Sequence, residues 1–387
     1  MKIGFLVNDL ALGGAQKVVF DIVSRLSPSE FEPVIFPLID YESIYPGRAN
    51  LRGKFEELGI KVINIGASAR PSLADLKILK SAFIKERPHV IHTHLPLSSI
   101  FGTVAARWAG IKKIIIHEHN THNFYSTKIR LALKGLRPFT ALTICYSDAV
   151  EKELFNSENI LTDPLEKINR KSYTIYNGVD LGKVDAVKLE TNFEEKRKSV
   201  GLLPEDIVII CAARFVDWKA QEYLIKAFSM AAKGQKDIKL LLAGDGPRLE
   251  PARKLAADLN ISQKVFFLGP RNDIFELLSI SDIFSLVFAY PDDFNSEGIG
   301  VAGLEAMAFS LPPLIGDYPE SHKFIKNDIN GLLVEPKNPE ALSKAIIKLA
   351  VDKSRRAAIG VQARKFVEKN FSLENIVSIY ESVYKLI

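Results

Sequence analysis

Short apolar runs alternate with longer segments whose apolar positions recur at helical spacing, almost from one end of the chain to the other. Runs without polar alternation suit strands buried on both faces of a parallel sheet. The amphipathic segments between them suit the helices that cover such a sheet. In the first half, residues 2–7, 33–38, 61–65, 90–92, 113–116 and 142–146 are expected strands, with helical patterns such as 16–26, 73–85 and 98–109 between them. The pattern starts afresh at 207–211 and continues through 239–243, 264–268, 283–288 and 313–315. Two doubly wound, Rossmann-like α/β domains are the simplest reading. The turn-rich Tyr176-Asn177-Gly178-Val179-Asp180 marks the boundary between them. The last segment carries Ile376, Val377, Ile379, Tyr380, Val383 and Leu386 at helical spacing, a stripe that has to be buried somewhere.

Composition narrows the class. A chain of 387 residues, 47% hydrophobic and 25% charged, has the length for two ordinary globular domains. Its 51 Lys and Arg against 46 Asp and Glu give +5. That mild excess favours phosphates or an anionic membrane and is too weak to argue for nucleic acid. Cys145 and Cys211, each inside an apolar run, read as reduced core thiols. Ile3-Gly4-Phe5-Leu6-Val7 is ended by Asn8-Asp9, short of the roughly 7–15 apolar residues of a secretory leader. No run approaches the ~20 apolar residues of a membrane span. A cytoplasmic protein is expected, with any membrane contact peripheral at the inner membrane face. The basic, amphipathic segment 128–137 either covers the sheet with a solvated basic face or lies on anionic lipid.

Three segments carry candidate chemistry. Asn295-Ser296-Glu297-Gly298-Ile299-Gly300-Val301-Ala302-Gly303-Leu304-Glu305 follows an expected strand and opens a helix. Gly298 and Gly300 let backbone approach a ligand closely, and the free N–H groups at a helix start favour a phosphate. Glu305 could accept hydrogen bonds from vicinal ribose hydroxyls, and Glu297 at the loop tip suits sugar hydroxyls. Gly298, Gly300 and Gly303 also match the dinucleotide fingerprint, but they come after four strands of their own domain rather than opening it, which argues against nicotinamide binding. Arg214 and Lys219 stand in a loop after the first strand of the second domain, where a guanidinium fork and an ammonium suit a diphosphate. Gly244-Asp245-Gly246-Pro247 repeats this placement after the next strand, or is simply a tight turn.

Taken in order, these motifs resemble those of the retaining glycosyltransferases of family 4, which have the GT-B fold. Glu297 and Glu305 look like the family's Glu-x7-Glu signature, and Arg214 with Lys219 like its Arg-Leu-x3-Lys-Gly loop. Gly13-Gly14-Ala15-Gln16, Tyr176-Asn177-Gly178-Val179-Asp180, Gly244-Asp245-Gly246-Pro247 and Asn330-Gly331-Leu332-Leu333-Val334 are similar to further family motifs. The resemblance implies two domains facing a central cleft. The first is an acceptor-side domain, 1–180 with the returning helix 371–387; the second is a donor-binding domain, 181–370. It implies that Arg214 and Lys219 hold the donor pyrophosphate, Glu305 the ribose, and Glu297 with Gly298, Ile299 and Gly300 the transferred sugar and phosphates. Gly13 and Gly14 would face the donor phosphates, and His119 would lie beside the donor sugar and the acceptor. The nucleotide-diphosphate sugar is then a substrate, no cofactor is expected, and the acceptor is a carbohydrate or lipid-linked carbohydrate of surface glycan synthesis. Four departures stand out: Lys-Gly becomes Lys219-Ala220, Glu-Gly-Phe-Gly becomes Glu297-Gly298-Ile299-Gly300, Ala-x-Gly-x-Pro becomes Ala308-Phe309-Ser310-Leu311-Pro312, and the loop 290–295 is long.

His92, His94, His117, His119 and His122 crowd two segments, and strand alternation puts His92 with His94, and His117 with His119, on common faces. With no carboxylate or cysteine cluster beside them they read as ordinary hydrogen-bonding residues, and no metal is expected. The chain also lacks the Asp-x-Asp pattern by which metal-dependent glycosyltransferases hold a cation, so transfer is expected to be metal-independent. A sugar-nucleotide epimerase or phosphorylase on the same scaffold, or a non-catalytic sugar-nucleotide-binding assembly partner, fits the ordered motifs less well.

Overall fold

The structure is a computed structural model that describes residues 1–11, 13–46, 50–120, 125–162, 168–235, 237–289 and 298–387. The chain divides into two compact units, Met1–Gly178 with Leu373–Ile387, and Val179–Ser372. The first contains β1 (Lys2–Val7), β2 (Glu32–Pro37), β3 (Lys61–Val62), β4 (Val90–His94), β5 (Ile114–Glu118), β6 (Leu142–Cys145) and β7 (Ser172–Thr174). They form a parallel sheet in the order β3-β2-β1-β4-β5-β6-β7.

Strand alternation sorts the first unit's apolar residues into two cores. Ile3, Phe5, Val7, Ile35, Val90 and Ile115 point into one, and Leu6, Val34, Phe36, Ile91 and Ile114 into the other. The terminal helix, Leu373–Leu386, supplies Leu373, Ile376, Val377, Ile379, Tyr380, Val383 and Tyr384 to the first of these cores. Each such side chain contributes at most about 1.5–3 kcal/mol by leaving water, so the helix is a structural part of this unit. Its polar side is fastened too, since Glu381 accepts the Ser27 N–H at 2.7 Å and Lys385 pairs with Glu30 at 2.8 Å.

The second unit contains β8 (Ile207–Ala212), β9 (Ile238–Ala243), β10 (Val265–Gly269), β11 (Ile283–Leu286), β12 (Pro313–Gly316) and β13 (Leu332–Val334). Its sheet, also parallel, runs β10-β9-β8-β11-β12-β13. Under one end lies Arg197, only 3% exposed. Its guanidinium donates to the carbonyls of Leu203, Pro204, Asp206 and Ile280 and to the Asp282 carboxylate at 2.9 Å.

Several expectations shift in detail. The strand expected at 61–65 is regular only at Lys61 and Val62, although the Ile63 and Ile65 N–H groups still donate to the Ile35 and Pro37 carbonyls, while the strands expected at 90–92 and 113–116 run on through His94 and Glu118. The basic segment is the helix Thr127–Leu136, capped by Ser126, with Lys128, Arg130, Leu131 and Lys134 exposed. Arg137 leaves that basic face: it donates to the Leu154 carbonyl at 2.9 Å and stacks over Phe155. Among the described residues no helix is long and apolar enough to cross a membrane.

Candidate functional site

In a doubly wound sheet the loops leaving two neighbouring strands part in opposite directions, and ligands bind in the crevice that opens at those carboxyl ends. In the second unit this place lies between β8 and β11, paired at Ile209–Ile283 and Ile210–Phe284. The loop after β8 carries Arg214 and Lys219, and the segment after β11 leads to Gly298, Ile299, Gly300 and Glu305.

Arg214 is exposed, and Lys219 ends the single 3-10 turn Asp217–Lys219 with its ammonium 4.5 Å from the Phe288 ring. Phe288 follows β11, and the next N–H, of Ala289, donates to the Trp218 carbonyl at 3.0 Å. A cation–π contact and a backbone hydrogen bond thus tie the two loops together. Sequence reasoning missed Phe288 because its partner is distant in the chain and only the sheet order makes them neighbours. It also missed Gln221, whose buried side chain donates to the Arg214 carbonyl at 2.9 Å and fixes the loop from below.

Ala220 adopts φ 53° and ψ 33°. This left-handed conformation costs an L-residue roughly 1–2 kcal/mol and glycine very little. The left-handed backbone is therefore held here with a methyl group in place. On the other side, Gly244 and Gly246 have φ of 142° and 151°. A methyl on either would collide with the carbonyl oxygen of Ala213 or of Phe215. Phe215 N–H donates to the Asp245 carbonyl at 2.9 Å and Arg248 N–H to the Phe215 carbonyl at 3.0 Å, so the loops after β8 and β9 lie backbone against backbone.

The helix Gly300–Ala308 connects β11 to β12, on the other side of the reversal. Gly298 and Gly300 both have φ of 66°, and a methyl on Gly298 would stand 2.8 Å from Phe324. The turn therefore needs both glycines, and the helix that follows offers the first-turn N–H groups and positive end of a helix start. Glu305, one turn in, is half-buried. Glu297 and the loop 290–295 lie outside the described residues.

In the first unit the corresponding reversal falls between β1 and β4. Gly13 and Gly14, both exposed, start the helix Gly14–Val23 after β1. The loop is held by Asp9, which accepts from the Gln16 amide at 2.9 Å and the Ala11 N–H at 3.0 Å. His119 follows β5, and its Nε2 lies 2.9 Å from His94 Nδ1. By parity with Val90 and Ile115, the rings of His92, His94, His117 and His119 all project from the sheet face covered by the terminal helix. Burial is the main cause that pushes His92 and His119 down to about 3 and His94 and His117 well below the usual imidazole range, so the cluster is neutral at pH 7. Cys145 and Cys211 are buried free thiols, both pushed up by desolvation and unsuited to nucleophilic work.

Known proteins match both halves of the chain. Residues 12–183 match the model described as Glycosyltransferase Family 4, and residues 192–366 that described as Glycosyl transferases group 1. The N-acetyl-alpha-D-glucosaminyl L-malate synthase of Bacillus anthracis is 30% identical over 61% of this chain, an alignment that spans only 58% of that relative. The UDP-Gal:alpha-D-GlcNAc-diphosphoundecaprenol alpha-1,3-galactosyltransferase of Escherichia coli is 27% identical over 88% of this chain and 86% of its own. The crystal structure of Anabaena HepE in complex with UDP matches with a TM-score of 0.80 over 100% of both chains at 19% identity, a likeness of fold.

Proposed function

We propose, from the premise that this chain belongs to the group 1, family 4 glycosyltransferases and has their GT-B fold, that it transfers a sugar with retention from a nucleotide-diphosphate donor to a carbohydrate or lipid-linked carbohydrate. The observation that carries this reading is the convergence of Arg214, Lys219 and the glycine-bounded helix start on the β8/β11 reversal. Arg214 grips a diphosphate oxygen pair with its fork and Lys219 adds a point charge. The first-turn N–H groups near Gly298, Ile299 and Gly300 complete the anion cradle, Glu305 takes the ribose hydroxyls, and Glu297 the transferred sugar. In the first unit, the helix start at Gly13 and Gly14 suits a phosphate, and His119 suits an acceptor hydroxyl. The acceptor hydroxyl attacks the anomeric carbon on the face that the diphosphate leaves. The carbon–oxygen bond to phosphate breaks as the new glycosidic bond forms, and the hydroxyl proton passes to the departing phosphate oxygen. That the Escherichia coli relative is named for a UDP-sugar donor and a diphosphoundecaprenol-linked acceptor, and that the Anabaena protein binds UDP, makes UDP-sugars the first donors to screen. NMR of the isolated product should show the anomeric configuration of the donor; an inverted linkage overturns the reading. Slow donor hydrolysis without acceptor should also be measurable, which a non-catalytic binding partner does not produce.

Transfer should need no divalent cation on the diphosphate, because fixed side-chain cations neutralise the leaving group. Enzyme dialysed against EDTA is expected to turn over at the same rate with and without added Mg²⁺ or Mn²⁺. Activity that vanishes and returns only with Mg²⁺ would rule this out.

A lipid-linked acceptor requires contact with a membrane surface. The exposed Lys128, Arg130, Leu131 and Lys134, with Phe139 51% exposed close by, form the basic and apolar face that can supply it. The protein should pellet with anionic vesicles at low salt and be released as salt rises. Recovery in the supernatant at low salt would refute the membrane contact.

A further inference from the structure

The four-histidine cluster of the first unit holds more unsatisfied nitrogen than a packed core tolerates. His92, His94 and His117 are each 0% exposed, and His92 Nε2, His94 Nε2 and both nitrogens of His117 lack a hydrogen-bond partner among the described residues. Buried polar atoms of this kind call for a ligand or a water. The other ring nitrogens are already engaged: His92 Nδ1 lies 2.8 Å from the Tyr384 hydroxyl and His94 Nδ1 2.9 Å from His119 Nε2. With the protons on these Nδ1 atoms, the lone pairs of both Nε2 atoms remain, and His117 offers a third.

We propose that His92, His94 and His117 form a three-imidazole site for a divalent transition-metal ion of the Zn²⁺ type. One donor atom from each ring lies within 4.8 Å of the others. A tetrahedral ion with Zn–N bonds of ~2.0–2.1 Å holds its donors roughly 3.3 Å apart, so modest ring rotations close the site. The backbone provides the spacing: His92 and His94 are two apart on β4, and His94 is the direct register partner of His117 on β5. An all-imidazole donor set selects Zn²⁺, Co²⁺ or Ni²⁺ over Mg²⁺ and Ca²⁺, which require oxygen ligands. The pairings at Nδ1 are the outer contacts that fix ligand tautomers, one reaching the terminal helix through Tyr384 and the other reaching His119. The ion would cross-link β4 and β5 and orient His119 through His94. It takes no part in holding the donor diphosphate, and the inference stands whether or not the transfer reaction is as proposed.

The test uses the full chain, dialysed against EDTA and titrated with Co²⁺ and then Zn²⁺. One equivalent of Co²⁺ should give the intense visible bands of tetrahedral cobalt, which Zn²⁺ abolishes on displacing it. The same Zn²⁺ should raise the melting temperature. Tyr384→Phe keeps the ring packing and removes only the hydroxyl, so it should weaken Zn²⁺ binding about 10–100-fold. His117→Gln should abolish it. Should His117→Gln fail to fold, Tyr384→Phe still decides. Folded wild-type protein that develops no cobalt bands and takes up no Zn²⁺ shows that water satisfies these nitrogens and overturns the proposal. So does Zn²⁺ binding that is unchanged in Tyr384→Phe, because the ion is then held elsewhere.

Discussion

Alanine in place of Arg214 or of Lys219 is expected to lower turnover roughly a hundredfold and to raise the donor KM far less. Negative charge on the diphosphate grows as the bond to the anomeric carbon breaks, so a cation placed against it binds the transition state better than the ground state. Losing one such preorganised group costs about 3 kcal/mol. The two side chains act on one leaving group from one loop, so the double variant should fall short of the sum of the single losses. Glu305→Ala provides the contrast. A ribose contact is the same before and during bond breaking, so its loss should raise the donor KM and leave kcat nearly unchanged. Steady-state kinetics on the three variants separate the two patterns. Near wild-type kcat in both cation variants would exclude the proposed site.

Arg197→Met should destabilise the second unit by about 3–5 kcal/mol without touching the donor loops. The guanidinium is buried under four backbone carbonyls and the Asp282 carboxylate. Methionine fills the space but takes the guanidinium donor from those carbonyls, and stranding buried acceptors is costly; the Asp282 carboxylate, partly exposed, keeps the Val208 N–H at 2.9 Å. For a unit of this size the loss corresponds to on the order of 10 °C in Tm. Urea unfolding followed by Trp218 fluorescence measures it directly, and a loss below about 1 kcal/mol would mean that water reaches the carbonyls.

The long apolar strands were legible because they are buried on both faces and bounded by turn residues. What escaped was short or polar. Ser172–Thr174 and Leu332–Val334 hold three residues each at sheet edges, too few for any period to show. The polar ends of β4 and β5, through His94 and Glu118, lie beyond the apolar runs that bounded the expected strands. Arg137 counted as part of a basic face, yet a carbonyl and an aromatic ring in the following helix, Asp148–Phe155, draw it inward. The candidate site was legible as a set of residues, through the order of its motifs. The contacts that shape it were not, because Lys219 on Phe288 and Gln221 beneath Arg214 depend on which strands become neighbours and on how the chain turns at Ala220. The substitution at that position was visible in the sequence, whereas the left-handed backbone it has to adopt was not.

Gly244 and Gly246, pressed against the carbonyls of Ala213 and Phe215, also bear on how such a protein can diverge. Because the contact that moulds the loop is between main chains, the path of the loop does not depend on which side chains the neighbouring residues carry. Mutation can then sample new side chains at the exposed Asp217 without first dismantling the frame that presents Arg214 and Lys219. The two glycines are the inflexible members of that arrangement, and lineages that recognise different sugars should keep them while the residues around them turn over.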